Sequence, residues 1–494
     1  MPVSASAIAR VVGIDTIFKN LRKGDVTYLP QRIAVIGQGA TGTVYSNDKA
    51  QHTSAFSVGS TYGFGSPLHL AALQLLPPNG DGVGDIPVTF YPLDDDGAGV
   101  AAAGDITPSG AVTKAGSFTV KINNIVSGAF SVAIGDAVAA IVTAITAAVD
   151  SELNMPMDAT DSVTKVDLAA KWKGASGNDL YIEVVGPTDT GVSFAITQPV
   201  GGATNPSVQD ALDLIGNVWE TLVLNCMEIA DTTALDAYST FGEGRWGELV
   251  RKPLIVFTGN TATTVASAIT VSNARTTDRV NAQLVAPGSV DLPFVVAARQ
   301  LARIAVRANN NPPYDYGSLD ASGLTPGADG DQWDFTDRDT AVKGGSSTID
   351  VRNDVIYLSD IITFYHPAGD TTPAYRYVVD IIKLMNIIFN LDLIFVTPEW
   401  DGAPLIPDNQ PTTNRAAKKP KTAKAAIAAL LDNLGLDAII SDPETAKASI
   451  TAVINSQNPK RLDVVVTVQL SGNSNIISID LNFGFYFGTQ PIVA

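Results

Sequence analysis

The chain has 494 residues, 45% hydrophobic and 17% charged, so it has length for several domains and apolar material for a large core; small stapled scaffolds are excluded and long disordered tracts are not expected. Its 32 basic and 50 acidic side chains give a net charge of −18, which argues against nucleic acid as a partner for the surface as a whole. One cysteine, Cys226, and three widely spaced histidines, His52, His69 and His366, supply neither an internal disulfide nor a Cys-rich zinc site nor a helical His pair, and fit folding in a reducing compartment. The opening Met1-Pro2-Val3-Ser4 lacks a targeting pattern, so synthesis in the cytoplasm is expected, and neither apolar stretch, Ala137 to Val149 or Val378 to Val396, reads as a membrane span.

Residues 1–20 carry Ile8, Val12, Ile14, Ile17 and Phe18 without a strong period and read as an arm rather than a core element. Gln31 to Gly37 is a short apolar run ending in glycine, the mark of a buried strand. After a Gly-rich turn, Leu68 to Leu76 predicts a helix, with Ser66 as N-cap and Pro67 at the first helical position. From about 94 to 190 the composition shifts to Gly, Ala, Ser, Thr and Val. Strand-like runs at Ser117–Ile122, Ala129–Ala133, Val163–Trp172 and Asp179–Val185, with one alanine-rich helix at Asp136–Val149, predict a compact, mostly β insertion. The breakers Gly186-Pro187 and Pro199-Val200-Gly201-Gly202 close it.

Residues 207–308 alternate strand and helix: Thr221–Asn225, 232–241, Leu254–Thr258, 262–273, Asn281–Val285 and 292–308. That order predicts βαβ crossovers and a largely parallel sheet. Asn309 to Thr340, rich in Pro, Gly, Asn and Asp, reads as a long surface loop. Helices are expected at Ala374–Asn390 and Thr422–Leu434. Two period-two strands end the chain: Val464, Val466, Val468 and Leu470 form one face, and after a Ser-Gly-Asn-Ser-Asn turn Ile477, Ile479, Leu481, Phe483, Phe485 and Phe487 form the next.

Gly37-Gln38-Gly39-Ala40-Thr41-Gly42 matches the dinucleotide fingerprint G-x-G-x-x-G after an apolar strand. The chemistry needs a helix to begin at that turn and an acid about 20 residues on. Thr43 to Asp48 does not read as a helix and positions 53–62 hold no Asp or Glu, so a plain turn is the stronger reading, with a nucleotide-binding oxidoreductase as the alternative from a different class. Signatures of phosphoryl transfer, serine hydrolysis and zinc hydrolysis are absent. Asp94-Asp95-Asp96 and Asp329-Gly330-Asp331 read as solvated turns rather than cation sites. No catalytic, cofactor-binding or metal residue is assigned, and no cofactor is expected.

Arg415, Lys418, Lys419, Lys421 and Lys424 form the one dense basic cluster. Cations at a helix start oppose its dipole, so the cluster is either a docking surface for an acidic partner or a solvated face. The C-terminal strand pattern likewise has two readings, an internal hairpin or strand addition between copies. On the second, the pairing residues are Ile8, Val12, Ile14, Val464, Val466, Val468, Ile477, Ile479, Leu481, Phe483 and Phe485.

Taken in order, these segments resemble the contractile tail sheath proteins of Mu-like bacteriophages. The opening Gln31–Gln38, ending in Ile36-Gly37-Gln38, and Gly63-Phe64-Gly65-Ser66 before Pro67-Leu68 are similar to that family's first strand and helix start. Ala115–Ile122, Gly135-Asp136, Ala147-Ala148 and Lys173–Asn178 resemble its inserted β-rich domain. Ala286-Pro287-Gly288-Ser289, Leu292-Pro293, Ala297-Ala298-Arg299, Ser347–Asp350, Ile361–Tyr365 and Arg461–Val464 continue the likeness, with Val290 in place of a proline and Phe364 where a threonine is usual.

The resemblance implies a mixed α/β (α+β) subunit: an N-terminal arm (1–20), a first part of the core (21–93), an outward β-rich insertion (94–200), an α/β core (201–345), a C-terminal sheath core (346–474) and a C-terminal arm (475–494). It implies a non-enzymatic virion protein, made in the host cytoplasm, that polymerises with itself around an inner tail tube. Contraction then drives the tube through the host envelope. Baseplate and tail terminator proteins are the further partners, without direct nucleic-acid contact or membrane insertion, and the basic cluster would face the tube. A phage-derived injection machine, of bacteriocin or secretion type, is the nearest alternative.

Overall fold

A computed structural model describes residues 27–371, 373–475, 478, 479 and 481. The described chain divides into two compact units, Pro30–Met385 with 470 onward, and the segment up to Leu29 with Asn386–Gln469.

The larger unit is built on a six-stranded sheet. Strands β1 (Ile33–Gln38), β2 (Ala50–Gln51) and β3 (Val88–Leu93) come first in the chain. Between β3 and the remaining core strands lies a β-rich stretch of seven strands: β4 (Ala103–Ser109), β5 (Gly116–Ile122), β6 (Ile125–Val132), β7 (Met157–Asp161), β8 (Val166–Ala170), β9 (Ile182–Val185) and β10 (Ser193–Val200). The core resumes with β11 (Leu222–Asn225), β12 (Ile255–Asn260) and β13 (Asn281–Val285). The sheet order is β13-β12-β11-β1-β3-β2, parallel except for β2. Every residue of its five parallel strands is buried, which is why they are predominantly apolar without a period of two.

Helices Pro67–Leu75 and Pro293–Asn310 pack against each other and on this sheet. The first is capped as expected: the Ser66 hydroxyl accepts from the His69 amide at 3.3 Å. The second buries Phe294, Ala297, Leu301, Ile304, Ala305 and Ala308, and it approaches β12 so closely that a Cβ on Gly259 would collide with the Pro293 carbonyl. Helices Gln209–Ile215 and Thr232–Arg245 contact β3 and β13 respectively and touch each other.

The seven strands between β3 and β11 form two antiparallel sheets, β10-β4-β8-β7 and β6-β5-β9, with helix Val138–Asp150 against them. Phe118 stacks on Phe130 with centroids 5.6 Å apart, and Phe194 meets Phe118 edge-on at 5.1 Å. Asn123, at φ 51°, makes the two-residue turn between β5 and β6. Later in the same unit, β14 (Ile349–Arg352) and β15 (Val355–Leu358) pair through Asn353-Asp354, both at positive φ.

The larger unit departs from two expectations. The helix expected over 262–273 is reduced to Val265–Ala268 and a turn at Ser272–Ala274. The Ala268 carbonyl, which a continuing helix would use, instead accepts from the Asn260 and Gln283 side chains at 3.2 and 3.0 Å. The stretch Asn309 to Thr340 is not a plain surface loop: Tyr316 and Ala321 are fully buried, and helix Phe335–Lys343 starts inside it, capped by Asp334.

In the smaller unit, the Asn386 side chain accepts from the Leu29 amide at 2.8 Å, and Asn390 donates to the Thr27 carbonyl at 3.0 Å. Helix Pro420–Leu436 packs on helix Pro443–Ser449 and on β17 (Thr451–Ile454), which follows the short β16 (Ile440–Ser441). Strand β17 pairs antiparallel with β18 (Leu462–Val465). The strand expected to run from Val464 to Leu470 is interrupted: β18 stops at Val465, and only Gln469–Leu470 is extended again. The Ser449 hydroxyl explains the break, because it accepts from the Thr467 amide at 2.9 Å and occupies a group the ladder needs.

Candidate assembly surfaces

In a sheet of this order the chain leaves β1 toward β3 on one side, while β11 to β13 run off on the other. The crevice at the carboxyl ends of β1 and β11 is where open α/β sheets bind ligands. The Gly37–Gly42 turn lies there, packed against the chain's own residues, beside a groove of about 450 Å³ lined by Asp96, Asn205, Glu228 and Asp231. The Gln38 side chain, fully buried, donates to the Lys173 carbonyl at 2.8 Å and to Asp95 Oδ1 at 2.5 Å. Thr41 donates through its amide to the Lys171 carbonyl at 2.7 Å and through its hydroxyl to Asp95 Oδ2 at 2.5 Å. Beside it, Asn205 donates to Glu228 at 2.8 Å and to Asp231 at 2.7 Å, and accepts from the Ala175 amide at 2.9 Å.

The glycines have local reasons. A Cβ on Gly39 would overlap the Tyr45 ring, whose hydroxyl bonds the Leu93 carbonyl at 3.0 Å and whose burial pushes its pKa up to about 12. Gly42 has φ 81°. The next helix in the chain begins only at Ala55, so the turn does not lead into a helix as the dinucleotide fingerprint requires, and these residues do not fit it. Asp95 of the acidic triplet is spent on this packing. Among the described residues no His, Cys, Asp and Glu group is arranged to hold a metal.

His69 is a core residue: its Nδ1 accepts from the Gly65 amide at 3.0 Å, and burial, with Lys171 nearby, pushes its pKa down to about 4. Cys226 is buried among apolar groups, which raises its thiol pKa well above the ordinary value.

The basic cluster sits around the start of helix Pro420–Leu436. Lys418 lies over the Trp400 ring at 5.4 Å and pairs with Glu399 at 3.2 Å, while Lys419 donates to the Gln410 carbonyl at 2.6 Å. Arg415 and Lys421 are exposed and Lys424 is half-buried. The unfavourable dipole noted from the sequence is offset by a residue the sequence reading missed. Asp408, in the preceding loop, accepts from the Lys421 amide at 3.0 Å and places a carboxylate at the helix start. An acid 13 residues upstream leaves no local signature.

Of the residues expected to pair strands between copies, Val464 pairs within the chain, opposite Ala452. Its side chain joins Phe395, Trp400, Leu405 and Leu462 around a groove of about 820 Å³, and the other edge of β18 carries no strand among the described residues. Val466 and Val468 are half-buried outside any strand, and Ile479 and Leu481 are 80% and 76% exposed. Ile8, Val12, Ile14, Ile477, Phe483 and Phe485 lie outside the described residues.

The chain is 24% identical over 404 residues to the Mu-like prophage FluMu tail sheath protein of Haemophilus influenzae, across 79% of this chain and 81% of that relative. No protein-family profile matches it. Among solved structures it is similar to a sheath tail protein from Listeria innocua, at 13% identity and TM-score 0.47 over 91% of this chain and 94% of that one. It is also similar to a sheath tail protein from Desulfitobacterium hafniense, at 12% identity and TM-score 0.44 over 93% and 100%. A chain of the anti-feeding prophage baseplate superposes at 10% identity and TM-score 0.45 over 96% and 100%. These superpositions are shallow, and the relationship with the Haemophilus protein is what bears on function.

Proposed function

We infer that this chain, a relative of the Mu-like tail sheath proteins, is a structural subunit of a contractile phage tail sheath, helically polymerised around an inner tube that contraction drives through the host envelope. The observation that carries the reading is the alignment with a tail sheath protein along about four-fifths of both chains. The Gly37–Gly42 turn agrees with it, since Gln38 and Thr41 are engaged by Asp95 and by the Lys173 and Lys171 carbonyls of the chain itself. In this reading the role is structural and non-enzymatic, in the virion tail.

A subunit contact that does not close into a ring generates a helix, and contraction requires a second packing of the same subunits at lower free energy. In this reading residues 1–20 and 475–494 are arms that add strands to neighbouring copies, the free edge of β18 is one acceptor, and the 94–200 insertion faces outward. Arg415, Lys418, Lys419, Lys421 and Lys424 face an acidic tube exterior. Baseplate and terminator proteins bound the polymer at its two ends.

Electron microscopy and sedimentation of the purified chain test the proposal. Hollow tubes or stacked rings are expected. Deleting residues 1–20 or 475–494 should abolish them, and normal tubes from either truncation would remove the arm model.

A further inference from the structure

Lys383, on the helix Val378–Phe395, has no exposed surface, although a lysine is seldom buried unless its charge and its donors are all met. Here each of the three ammonium hydrogens has an acceptor: Asp380 Oδ1 at 3.0 Å, the Ser471 carbonyl at 2.6 Å and Asn473 Oδ1 at 2.6 Å. Asp380 is one helical turn away, whereas the other two partners lie 88 and 90 residues along the chain. Asn473 donates onward to the Pro313 carbonyl at 2.9 Å, the Asn475 amide returns to the Asn473 carbonyl at 3.0 Å, and the Asn475 side chain bonds the Tyr377 hydroxyl. The Asp315 carboxylate is close enough to act on both this ammonium and the Tyr377 hydroxyl, and Asp360 on that hydroxyl.

An apolar side chain of similar length would fill this space without the desolvation cost of a charge, so packing does not account for a lysine here. The partners do. Two of the three acceptors belong to the stretch from which the final residues of the chain depart. We propose that Lys383 is a latch that fastens residues 471–475 to the larger unit, so that force on the chain beyond 475 passes into the helix Val378–Phe395 rather than into a free hinge. The fastening stands on these contacts alone, and the force rests on the sheath reading.

Two variants of the full chain separate the possibilities. Lys383→Met keeps the volume and removes all three donors; Asn473→Ala removes one acceptor from a half-buried position and spares the helix. Deuterium uptake by the peptide spanning 471–475 should rise at least about tenfold in both, with β11 to β13 as protected as in the parent. Tubes of either variant should shed subunits under shear sooner than parent tubes. Uptake unchanged in Asn473→Ala overturns the latch, whether or not Lys383→Met folds. Raised uptake with tubes as robust as the parent's overturns the transmission of force. Failure of the parent chain itself to form tubes would count against the sheath reading and leave the latch to be decided by uptake alone.

Discussion

Asp95 offers the sharpest test of why the Gly37–Gly42 turn exists. Its carboxylate accepts from Gln38 Nε2 at 2.5 Å, Thr41 Oγ1 at 2.5 Å and the Lys173 amide at 3.2 Å, which ties the end of β1 to the segment after β8. A hydrogen bond to a charged group contributes about 1.5–3 kcal/mol when shielded; Asp95 is half-buried and the Thr41 bond is exposed, so roughly half of that applies to each. Asp95→Ala should then cost about 3 kcal/mol, or about 100-fold in the local opening constant. Asp95→Asn, which keeps the shape and loses the charge, should cost about 1 kcal/mol. The assay is deuterium exchange followed by mass spectrometry on peptides covering 36–42 and 170–176, with β12 as the internal standard. Dinucleotide is added in a parallel series and should alter neither the parent nor the variants. Exchange within about threefold of the parent in Asp95→Ala would refute the packing account, and protection by dinucleotide would revive the oxidoreductase reading.

Three further outcomes follow from charge and burial. The larger unit holds 39 acidic and 20 basic side chains and the smaller 11 and 12, so copies repel mainly through the larger unit; raising salt from about 0.05 to 0.5 M should shorten the lag of tube formation seen by light scattering, and a longer lag would contradict this. Reversing Lys419 and Lys421 to Glu should abolish cosedimentation with purified inner tube while leaving the circular dichroism spectrum unchanged; retained binding removes the tube-facing role. His69, held near pKa 4 in the fold against 6.5 unfolded, binds its proton better in the unfolded chain. Its contribution is therefore complete above pH 6.5 and falls by about 2 kcal/mol by pH 5 and about 3 kcal/mol by pH 4. Asp179, raised to about 6 by burial and then by Glu228, works in the opposite direction over the same range, so the informative quantity is the urea stability of the parent minus that of His69→Gln at pH 7 and pH 5. A difference that does not change with pH would reject the assignment.

Periodicity and capping made much of the fold legible. The apolar run at Gln31, the Ser66-Pro67 helix start, the strand and helix alternation after Thr221 and the runs around Phe118 and Phe130 each announce themselves within a few residues. What they do not contain is who pairs with whom. Nothing near Ile33 indicates that its neighbour on one side is Leu222, because parallel pairing is set by shape complementarity across the whole sheet. The same distance hid Asp408 from the basic cluster and Ser449 from the C-terminal strand, where one hydroxyl ends a pattern of good alternation. Lys383 was invisible as a latch for the same reason: on its own helix it is one charged residue in an apolar stretch, and its partners appear only when Ser471 and Asn473 are brought to it.

The central position of β1 also sets a clock. Its first neighbour, β3, leaves the ribosome about 55 residues after it, but the β11 side waits for Thr221, whose hydroxyl takes the Arg32 amide 189 residues later. At a synthesis rate of about 5–20 residues per second, that edge of β1 stays unpaired for roughly 10–40 s. During that interval all the strands from β4 to β10 emerge, and the hairpins β5–β6 and β7–β8 can form from local pairings. A nascent chain of this protein therefore carries an apolar, parallel-ready edge for longer than many small domains take to fold, and slowing translation across 94–220 should raise the fraction that aggregates before the sheet is complete.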